Sequence, residues 1–297
     1  MAKHPGIVGA CTVIFLLGAS ATSWAWGSAG HRIVAHIAAK ALTNDVRTRV
    51  AAILGVSDAP AAVETAMVVA ATWPDRINKM ATGTRQWHFI NIPVGPPFSL
   101  GGLCPAHDCV IDRIEEMERR LRSNQKGFTL TTAPSPPRPM TSREIAFLIH
   151  FVGDIHQPLH AATKSDLGGT AVHLTVPIPH GQFPTDNLHA VWDDDEVFAV
   201  LDALGDESQT AAALFQRSQT GAAVVQSDPA GWARESNALA KTDVYDKLQI
   251  VNHKVSVTPA YIQSNVADVE QQLMRAGIRL ANVLNDICQS AGCKAKL

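Results

Sequence analysis

Apolar residues recur at three- and four-residue spacing along most of the chain, which predicts a mainly α-helical protein. The clearest repeats are Ile33, Val34, Ile37, Ala38, Ala41 and Leu42, then Ile145, Leu148, Ile149 and Val152, and finally Val266, Val269, Leu273, Leu280, Val283, Leu284 and Ile287. Weaker repeats predict helices over 61–72, 110–122, 188–200 and 229–241. Strand-like alternation occurs only over 172–176, so we expect at most a small β-hairpin. Two loops rich in proline, 93–109 and 131–141, are too short to require a domain boundary.

One helix in the middle of the chain has clear start and stop signals. Thr141 and Glu144 have the spacing of a capping box, which predicts the helix start. Pro158 predicts that the helix ends near Gln157, because proline disfavours helical geometry in the residue before it.

Potential metal ligands lie on this helix and just after it. His150 and Asp154 are four residues apart, so they face the same side of the helix. His160 follows the predicted helix end and can approach from another direction. An isolated pair of this kind is more often a surface hydrogen bond, so the interpretation depends on partners elsewhere in the chain.

The first residues have the pattern of a secretory signal peptide. Lys3 precedes an apolar run over 7–17, and small residues then lead to a cleavage site after Ala25. The run is too short to span a bilayer as an anchor. We therefore expect residues 1–25 to be removed, a single domain over 26–297, and a secreted or periplasmic protein without a membrane anchor. Cleavage after Ala21 is the alternative.

Composition and charge indicate an ordinary globular protein. The 297 residues are 46% hydrophobic and 18% charged, with a formal net charge of −2 and a pI near 6.6. A sizeable core is possible, in one large domain or two small ones. No broad basic field exists, so a polyanionic substrate must be bound by local groups, and a protein that coats DNA is disfavoured.

The cysteines become informative once export is assumed. Cys11 leaves with the signal peptide, and the remaining four form two close pairs, Cys104 with Cys109 and Cys288 with Cys293. Local disulfides are expected in an oxidising compartment, although four cysteines allow three connectivities. A cysteine-ligated zinc site is the alternative.

Histidine and aspartate residues surrounded by apolar or aromatic neighbours form a long series. Such groups are costly to bury unless they are paired or bind metal. Imidazole and carboxylate ligands without cysteine suit zinc first, and manganese or iron less well. The candidates are His31, Asp75, His88, His150, Asp154, His160, His189 and Asp193, with Trp26 at the predicted mature N-terminus.

The motifs around these residues together resemble the S1/P1 family of secreted zinc nucleases and 3′-nucleotidases. They are Trp-Gly-x-x-Gly-His at the processed N-terminus, Trp-x-Asp, Trp-His-Phe-Ile-Asn, His-Phe-x-Gly-Asp-x-His-Gln-Pro-Leu-His and Asn-Leu-His-x-x-Trp-Asp, over Trp26 to Asp193. The resemblance implies a single-domain helical fold around a cleft with three zinc ions, and a monomeric enzyme that hydrolyses ester bonds.

The resemblance also implies the ligand set of each zinc ion. One zinc is held by Asp75, His88, His150 and Asp154. A second is held by the α-amino nitrogen and carbonyl oxygen of Trp26, by His31 and by the shared Asp154. The third is held by His160, His189 and Asp193. Asp75 and Asp154 are then the catalytic carboxylates.

The implied reaction is attack of a zinc-bound hydroxide on a phosphate ester. Two metal ions roughly 3.5 to 4 Å apart stabilise phosphate charge and supply hydroxide near neutral pH. The expected substrates are single-stranded DNA and RNA, cut to 5′-phosphate products, and 3′-mononucleotides, which lose their phosphate.

Substrate contacts follow from the same resemblance. Phe89 is expected to stack on the base 5′ to the cut and Asn91 to contact its edge, whereas core packing is the alternative role for Phe89. The family often has a basic residue where this chain has Asn78, and Arg76 or Lys79 could replace it. Thr170 ends an Asp-x-Gly-Gly loop where the family has asparagine.

Other polar residues are given ordinary roles. His36 is expected to be a packing or surface residue, and His156 to support neighbouring ligands. The run Asp194, Asp195 and Glu196 is predicted to be solvated.

Two alternative functions remain at this point. A zinc-dependent phospholipase C shares the plan of three zinc ions, and a non-catalytic zinc-binding protein is the other possibility. Phe89, Asn91 and Asp193, where the phospholipases typically have glutamate, favour the nuclease.

Overall fold

The protein is described by a computed structural model that covers residues 26–78, 83–95, 99–124, 143–179, 184–221, 224, 228–289 and 293. Its α-helices in these ranges are α1 (Ser28–Ala41), α2 (Asn44–Leu54), α3 (Pro60–Ala71), α4 (Trp73–Asn78), α5 (Val110–Ser123), α6 (Arg143–Asp154), α7 (Leu188–Ala190), α8 (Glu196–Leu204), α9 (Glu207–Thr220), α10 (Pro229–Leu239) and α11 (Pro259–Gln289). The strands are β1 (His173–Ile178), β2 (Thr185–Asn187) and β3 (Lys254–Val255). Short 3₁₀ turns cover Arg85–His88, Pro105–His107 and Pro158–Ala161, and π-helical turns cover Val191–Asp195 and Ala240–Tyr245. The prediction of a mainly α fold is confirmed.

Helices α1 and α11 pack closely at the centre of the fold. α11 is 31 residues long and also contacts α8, α6 and α2, while α1 also packs against α3 and α9. Gly277 of α11 lies against Ile37 of α1, and a Cβ atom at position 277 would be only 2.5 Å from Ile37 Cβ. This close approach lets α1 and α11 pack closely in the core.

Helix α6 is surrounded by other elements on all sides. All its residues from Glu144 to Asp154 are buried, which is expected of a helix at the centre of a domain. The rings of Phe147 and Phe151 stack with centroids 5.2 Å apart, and Trp73 meets Phe147 edge-on. Ligands on this helix are therefore held by a rigid apolar support.

The predicted end of α6 was wrong by three residues. The helix ends at Asp154, and Gln157 already has extended backbone angles, as expected before Pro158. The Gln157 side chain accepts a hydrogen bond from Leu159 N and so begins the 3₁₀ turn that presents His160. The predicted cap residue Thr141 lies outside the described residues.

The other predicted helices are present with shifted boundaries. The predictions over 61–72 and 110–122 correspond to α3 and α5, and the prediction over 229–241 corresponds to α10 followed by a π-helical turn. The segment 188–200 is not one continuous α-helix, because the π-helical turn Val191–Asp195 separates α7 from α8. Helices α2 and α9 were not predicted. Asp206 and Gln209 form a capping box at the start of α9, which was an available signal.

The small sheet is larger than a hairpin. β1 pairs antiparallel with β2 and parallel with β3, which gives the order β2-β1-β3. β3 is two residues long, too short for alternation to show in the sequence. The sheet leads directly into α7, and thus into His189.

Both local disulfides are present, Cys104–Cys109 and Cys288–Cys293. These four sulfur atoms are therefore unavailable as zinc ligands. Among the described residues, no helix is long and apolar enough to cross a membrane. The predicted signal peptide, 1–25, lies outside the described residues.

Candidate metal centre

Helix α6 directs His150 and Asp154 into one buried cluster. His150 Nδ1 lies 2.7 Å from the carbonyl oxygen of Ala71. Nδ1 must donate in this contact, so Nε2 is left to face Asp154 Oδ2, 3.2 Å away. A backbone carbonyl behind the ring is the usual means of orienting a metal-binding histidine.

Three side chains from other elements complete a five-residue cluster with His150 and Asp154. His88, at the end of its 3₁₀ turn, places Nδ1 3.0 Å from Asp154 Oδ2 and 3.0 Å from His150 Nε2. Asp75 of α4 places Oδ1 3.4 Å from His150 Nε2. His31 of α1 places Nε2 3.3 Å from Asp154 Oδ1. Residues far apart in the sequence thus meet at one point.

The orientation of His31 depends on a glycine and on ring stacking. The rings of His31 and His150 stack with centroids 3.8 Å apart. A Cβ atom at Gly153 would lie 2.7 Å from His31 Nδ1, so only glycine leaves room for this ring beside α6. The glycine in Phe-Val-Gly-Asp therefore has a packing role that supports a candidate ligand.

Several polar atoms of the five-residue cluster fit a bound cation. Both ring nitrogens of His31, Oδ1 of Asp75 and Oδ1 of Asp154 are buried, and none has a hydrogen-bond partner within the described parts of the chain. Such atoms are costly to bury without a partner. A zinc ion would satisfy them, because imidazole and carboxylate are its usual ligands.

The electrostatics of the five-residue cluster also indicate that it requires a positive charge. Burial opposes ionisation of Asp154, yet His150, His31 and His88 hold its pKa well below the ordinary value. Burial likewise opposes the charge on His150, yet Asp154 and Asp75 raise its pKa to about 10. The two carboxylates thus demand positive charge, which a metal cation can supply in place of the His150 proton.

A second candidate metal cluster consists of His160, His189 and Asp193. His160 Nε2 lies 3.1 Å from His189 Nε2, and Asp193 Oδ2 lies 3.4 Å from His189 Nε2. The ligand atoms of these three residues lie within 4.8 Å of one another. The Nδ1 atom of His160 contacts the carbonyl oxygen of His88 at 2.7 Å, which leaves Nε2 directed into the cluster.

His189 is oriented by the loop after the 3₁₀ turn. Its Nδ1 lies 2.6 Å from the carbonyl oxygen of Gly168. Gly168 has φ +62°, and a Cβ atom there would be 2.6 Å from Leu159 O, so this turn requires glycine. The hydroxyl of Tyr245 donates to the carboxylate of Asp166, with distances of 3.0 and 2.8 Å to its two oxygens, and so helps to hold the loop that contains Gly168.

The third ligand of this cluster lies on the π-helical turn. Single π-helical turns are uncommon and are frequent at functional sites. Gln157 Nε2 donates to Asp193 Oδ1 at 2.7 Å, which leaves Oδ2 to face His189.

Trp26 and Gly27 link the N-terminal end of the described chain to the second cluster. Gly27 N donates to the carbonyl oxygen of Asp193 at 2.7 Å. The side chain of Trp26 is fully buried and packs against Gly30, where a Cβ atom would lie 2.9 Å from Trp26 Cβ. The two glycines of Trp-Gly-x-x-Gly-His thus let this segment pack closely, Gly27 against Asp193 and Gly30 against Trp26.

Side chains of α10 and α11 bind the backbone between Asp154 and His160. Ser236 donates to Ile155 O at 2.7 Å, and Gln272 donates to His156 O at 2.8 Å. Asn237 donates to Ala161 O at 3.0 Å. These residues hold the segment that separates the two clusters. Their role has no local signal in the sequence, because their partners are backbone atoms more than 70 positions away.

His156 lies in this segment and its ring is held in place; its predicted support of neighbouring ligands stays a prediction. Its Nδ1 lies 2.7 Å from Val152 O, and Arg279 donates to its Nε2 at 2.9 Å. Burial, reinforced by Arg279, lowers the pKa of His156 to about 3, so this ring is neutral. Arg279 is itself paired with Glu235 at 2.8 Å.

The predicted substrate contacts lie beside the five-residue cluster in the sequence. Phe89 directly follows His88 and is half-buried, while Asn91 and Arg76 are exposed. Asn78 is buried, so it does not offer its side chain to a substrate as the family's basic residue is expected to do. Lys79 lies outside the described residues.

Two of the remaining predictions differ in outcome. His36 contacts Glu64 at 2.7 Å and takes no part in either cluster, as expected. The acidic run is not solvated as predicted, because Asp195 and Glu196 are buried. Glu196 accepts a hydrogen bond from Asn265 of α11, and this distant partner explains why the sequence pattern misled.

Comparison with known proteins identifies the family. The family model "S1/P1 Nuclease" matches residues 26–289. Nuclease P1 of Penicillium citrinum is 26% identical over 284 residues, which cover 88% of this chain and 97% of the relative. Endonuclease 3 of Arabidopsis thaliana is 29% identical, with 88% of each chain covered. Nuclease S1 of Aspergillus oryzae is 25% identical, with 87% of this chain and 90% of the relative covered. The predicted hydrolase acting on ester bonds is confirmed, and the chain belongs to the S1/P1 nuclease family.

Proposed function

We propose that this chain is a zinc-dependent nuclease that cuts single-stranded DNA and RNA to 5′-phosphate products and removes the phosphate from 3′-nucleotides. The proposal rests mainly on Asp154. Its Oδ1 atom faces His31 at 3.3 Å, whereas its Oδ2 atom faces His88 and His150 at 3.0 and 3.2 Å. A carboxylate with its two oxygens directed at different ligands is suited to bridge two metal ions.

The residues divide into three zinc sites on this basis. Asp75, His88, His150 and Asp154 hold one ion; His31 and Asp154, with the nitrogen and carbonyl oxygen of Trp26, hold the second; His160, His189 and Asp193 hold the third. The ligand atoms of His31, Asp75 and His150 also lie within 4.8 Å of one another. We prefer the division with Asp154 as the bridge because it uses both of its oxygens.

The chemistry follows from charge. Bound zinc lowers the pKa of water to roughly 7 and neutralises the oxygens of a phosphate ester. The protein fixes the positions at which this occurs: Ala71 O and Gly168 O hold the rings of His150 and His189, and Gln157 holds Asp193. Asp75 and Asp154 are the catalytic carboxylates in this proposal.

Substrate selection uses residues that follow the ligands. Phe89 stacks on a base, Asn91 contacts the base edge and Arg76 contacts phosphate. Stacking contributes about 1 to 3 kcal/mol per base and tolerates any sequence. It requires a base that has left the duplex, which favours single strands.

Processing is part of the same proposal. Removal of residues 1–25 makes Trp26 the first residue and frees its α-amino group for zinc. The mature single domain, 26–297, is then a secreted or periplasmic monomer without an anchor.

Parallel assays test the function. The zinc-loaded mature protein is incubated with single-stranded DNA, RNA, 3′-AMP and phosphatidylcholine, and each reaction is repeated with chelator. We expect hydrolysis of the first three, lost with chelator and restored by zinc. Hydrolysis of phosphatidylcholine alone would indicate the phospholipase C, and no hydrolysis with full zinc content would indicate a non-catalytic zinc-binding protein.

A further inference from the structure

Asp75 and His88 are the members of the five-residue cluster with measurable solvent exposure in the described part of the chain. The side chains of His31, His150 and Asp154 are 0% exposed, whereas those of His88 and Asp75 are 5% and 13% exposed. Among the described residues, the exposed side at which a substrate phosphate can approach this cluster is therefore that of Asp75 and His88. Groups near these two residues are in a position to contact the parts of a polynucleotide that lie outside the cluster.

Arg85 lies on the same 3₁₀ turn as His88. Residues three apart eclipse each other in a 3₁₀ helix, which rises about 2 Å per residue, so Arg85 is on the His88 side of the turn and about 6 Å along it. Trp87, which faces a third of a turn away from both, is buried and stacked under the guanidinium of Arg113. The turn is thus anchored by Trp87, with His88 at its buried end and Arg85 at its exposed end.

The guanidinium of Arg85 is available for a ligand. Arg85 is exposed, and it has no hydrogen-bond or ion-pair partner in the part of the chain that the structure describes. Many other surface arginines are paired, such as Arg217 with Glu270 and Arg122 with Asp286. An arginine beside a phosphate-binding centre has the donor geometry for a second phosphate.

The overall charge favours a local cation in addition to Arg76. The formal net charge of −2 provides no general attraction for a polyanion. Asn78 is buried and uncharged, so it cannot supply the positive charge on this side of the cluster. From these observations, and resting on the proposed nuclease function, we propose that Arg85 binds a substrate phosphate adjacent to the scissile one.

The test compares substrates with one phosphate and with more than one. The values of kcat/KM are measured for 3′-AMP, for adenosine 3′,5′-bisphosphate and for a short oligodeoxyadenylate, with wild-type protein, Arg85→Gln and Arg85→Lys. Arg217→Gln is the matched control, because it removes one exposed positive charge from α9, which does not carry any candidate ligand. Zinc content and melting temperature are recorded for each variant.

We expect Arg85→Gln to lower the ratio of kcat/KM for the oligonucleotide over that for 3′-AMP by about tenfold, mainly through KM. The dependence of log(1/KM) on log[salt] should become shallower by about 0.7, the value for one contact to a single strand. Arg85→Lys should retain most of the salt dependence, and Arg217→Gln should match wild type. If kcat/KM for the bisphosphate, relative to that for 3′-AMP, falls as well, Arg85 binds the phosphate on the 5′ side of the nucleoside. If only the ratio for the oligonucleotide falls, Arg85 binds the phosphate on the 3′ side.

The proposal is overturned if neither ratio changes relative to Arg217→Gln, or if Arg85→Gln loses zinc and affects all three substrates equally. If wild-type protein hydrolyses neither nucleic acid nor 3′-AMP, the proposed function itself fails, and this result is distinct from an unchanged ratio in an active enzyme.

Discussion

The replacement Gly153→Ala tests whether His31 is a metal ligand. The added Cβ atom would lie 2.7 Å from His31 Nδ1, so the ring must move by roughly 0.7 Å to reach ordinary contact at 3.4 Å. Metal–ligand distances tolerate only about 0.2 Å. His31 cannot absorb the shift by rotating freely, because it is fully buried and its ring is stacked on His150. We therefore expect loss of about one zinc ion per chain.

The stability of the metal-free chain should change much less than its metal content. Alanine is favoured over glycine in a helix by about 1 kcal/mol. The steric conflict costs about 1 to 3 kcal/mol, as for other overpacked cores. These effects oppose each other, so the net destabilisation should be at most about 2 kcal/mol. A displacement of the His31 ring by this distance is expected to lower kcat about 100-fold.

The assay measures zinc per chain after gel filtration, 3′-AMP hydrolysis, and urea unfolding of the chelated protein. Gly277→Ala is the matched control, because its Cβ atom would lie 2.5 Å from Ile37 and the conflict is apolar. It should lower stability and leave the zinc content of the folded protein unchanged. Wild-type zinc content and turnover in Gly153→Ala would show that His31 does not bind metal.

Four other predictions test the site and its surroundings. Chelation should lower the melting temperature as well as abolish activity, since the proposed zinc ions would join the N-terminus to several helices; an unchanged melting curve would argue for surface sites. Asp154→Asn should lose both ions of the close pair, and His36→Ala should retain full zinc; equal zinc content in the two would exclude the bridge. Burial raises the pKa of Glu196 from 4.5 to about 8. When the pKa of a group is higher in the folded than in the unfolded state, its contribution to stability is complete below the unfolded-state pKa and is lost as pH rises through the folded-state pKa. The free energy of unfolding of the wild type should therefore fall by a few kcal/mol, of order 1.4 per pKa unit, between about pH 4.5 and 8. Urea unfolding of Glu196→Gln should lack this loss, and identical pH profiles would contradict the buried carboxyl. A methionine placed before Trp26 should cost about one zinc and most turnover, both recovered on its removal; full activity with the methionine in place would rule out the terminal chelate.

The parts of the fold that depend on local pattern were predictable. Helical periodicity marked α1, α6 and α11, and proline and glycine marked the turns between them. The end of α6 was misplaced because the residues between Asp154 and Pro158 form a turn whose hydrogen bonds come from α10 and α11. Contacts of that kind join positions far apart, and no local pattern records them.

The candidate ligands were also accessible from sequence, because each lies in a short motif. Their supports were not. Ser236, Asn237, Gln272 and Arg279 look like ordinary polar residues of amphipathic helices, and their role depends on which backbone atoms they meet. Glu196 was mispredicted in the other direction. Its place in an acidic run predicted an exposed side chain, but it is buried and accepts a hydrogen bond from Asn265.

The two candidate metal clusters are structurally dependent on each other. The carbonyl oxygen of His88, a residue of the five-residue cluster, orients the ring of His160 in the second cluster at 2.7 Å. His160 Nδ1 is also 3.9 Å from Asp154 Oδ1, and Asp193 O holds the backbone at Gly27 beside Trp26. A shift of either cluster would therefore move a support of the other. Under the proposed function, a phosphodiester presents its oxygens at fixed separations, and this mutual support would keep the two clusters at the separation that such a substrate requires.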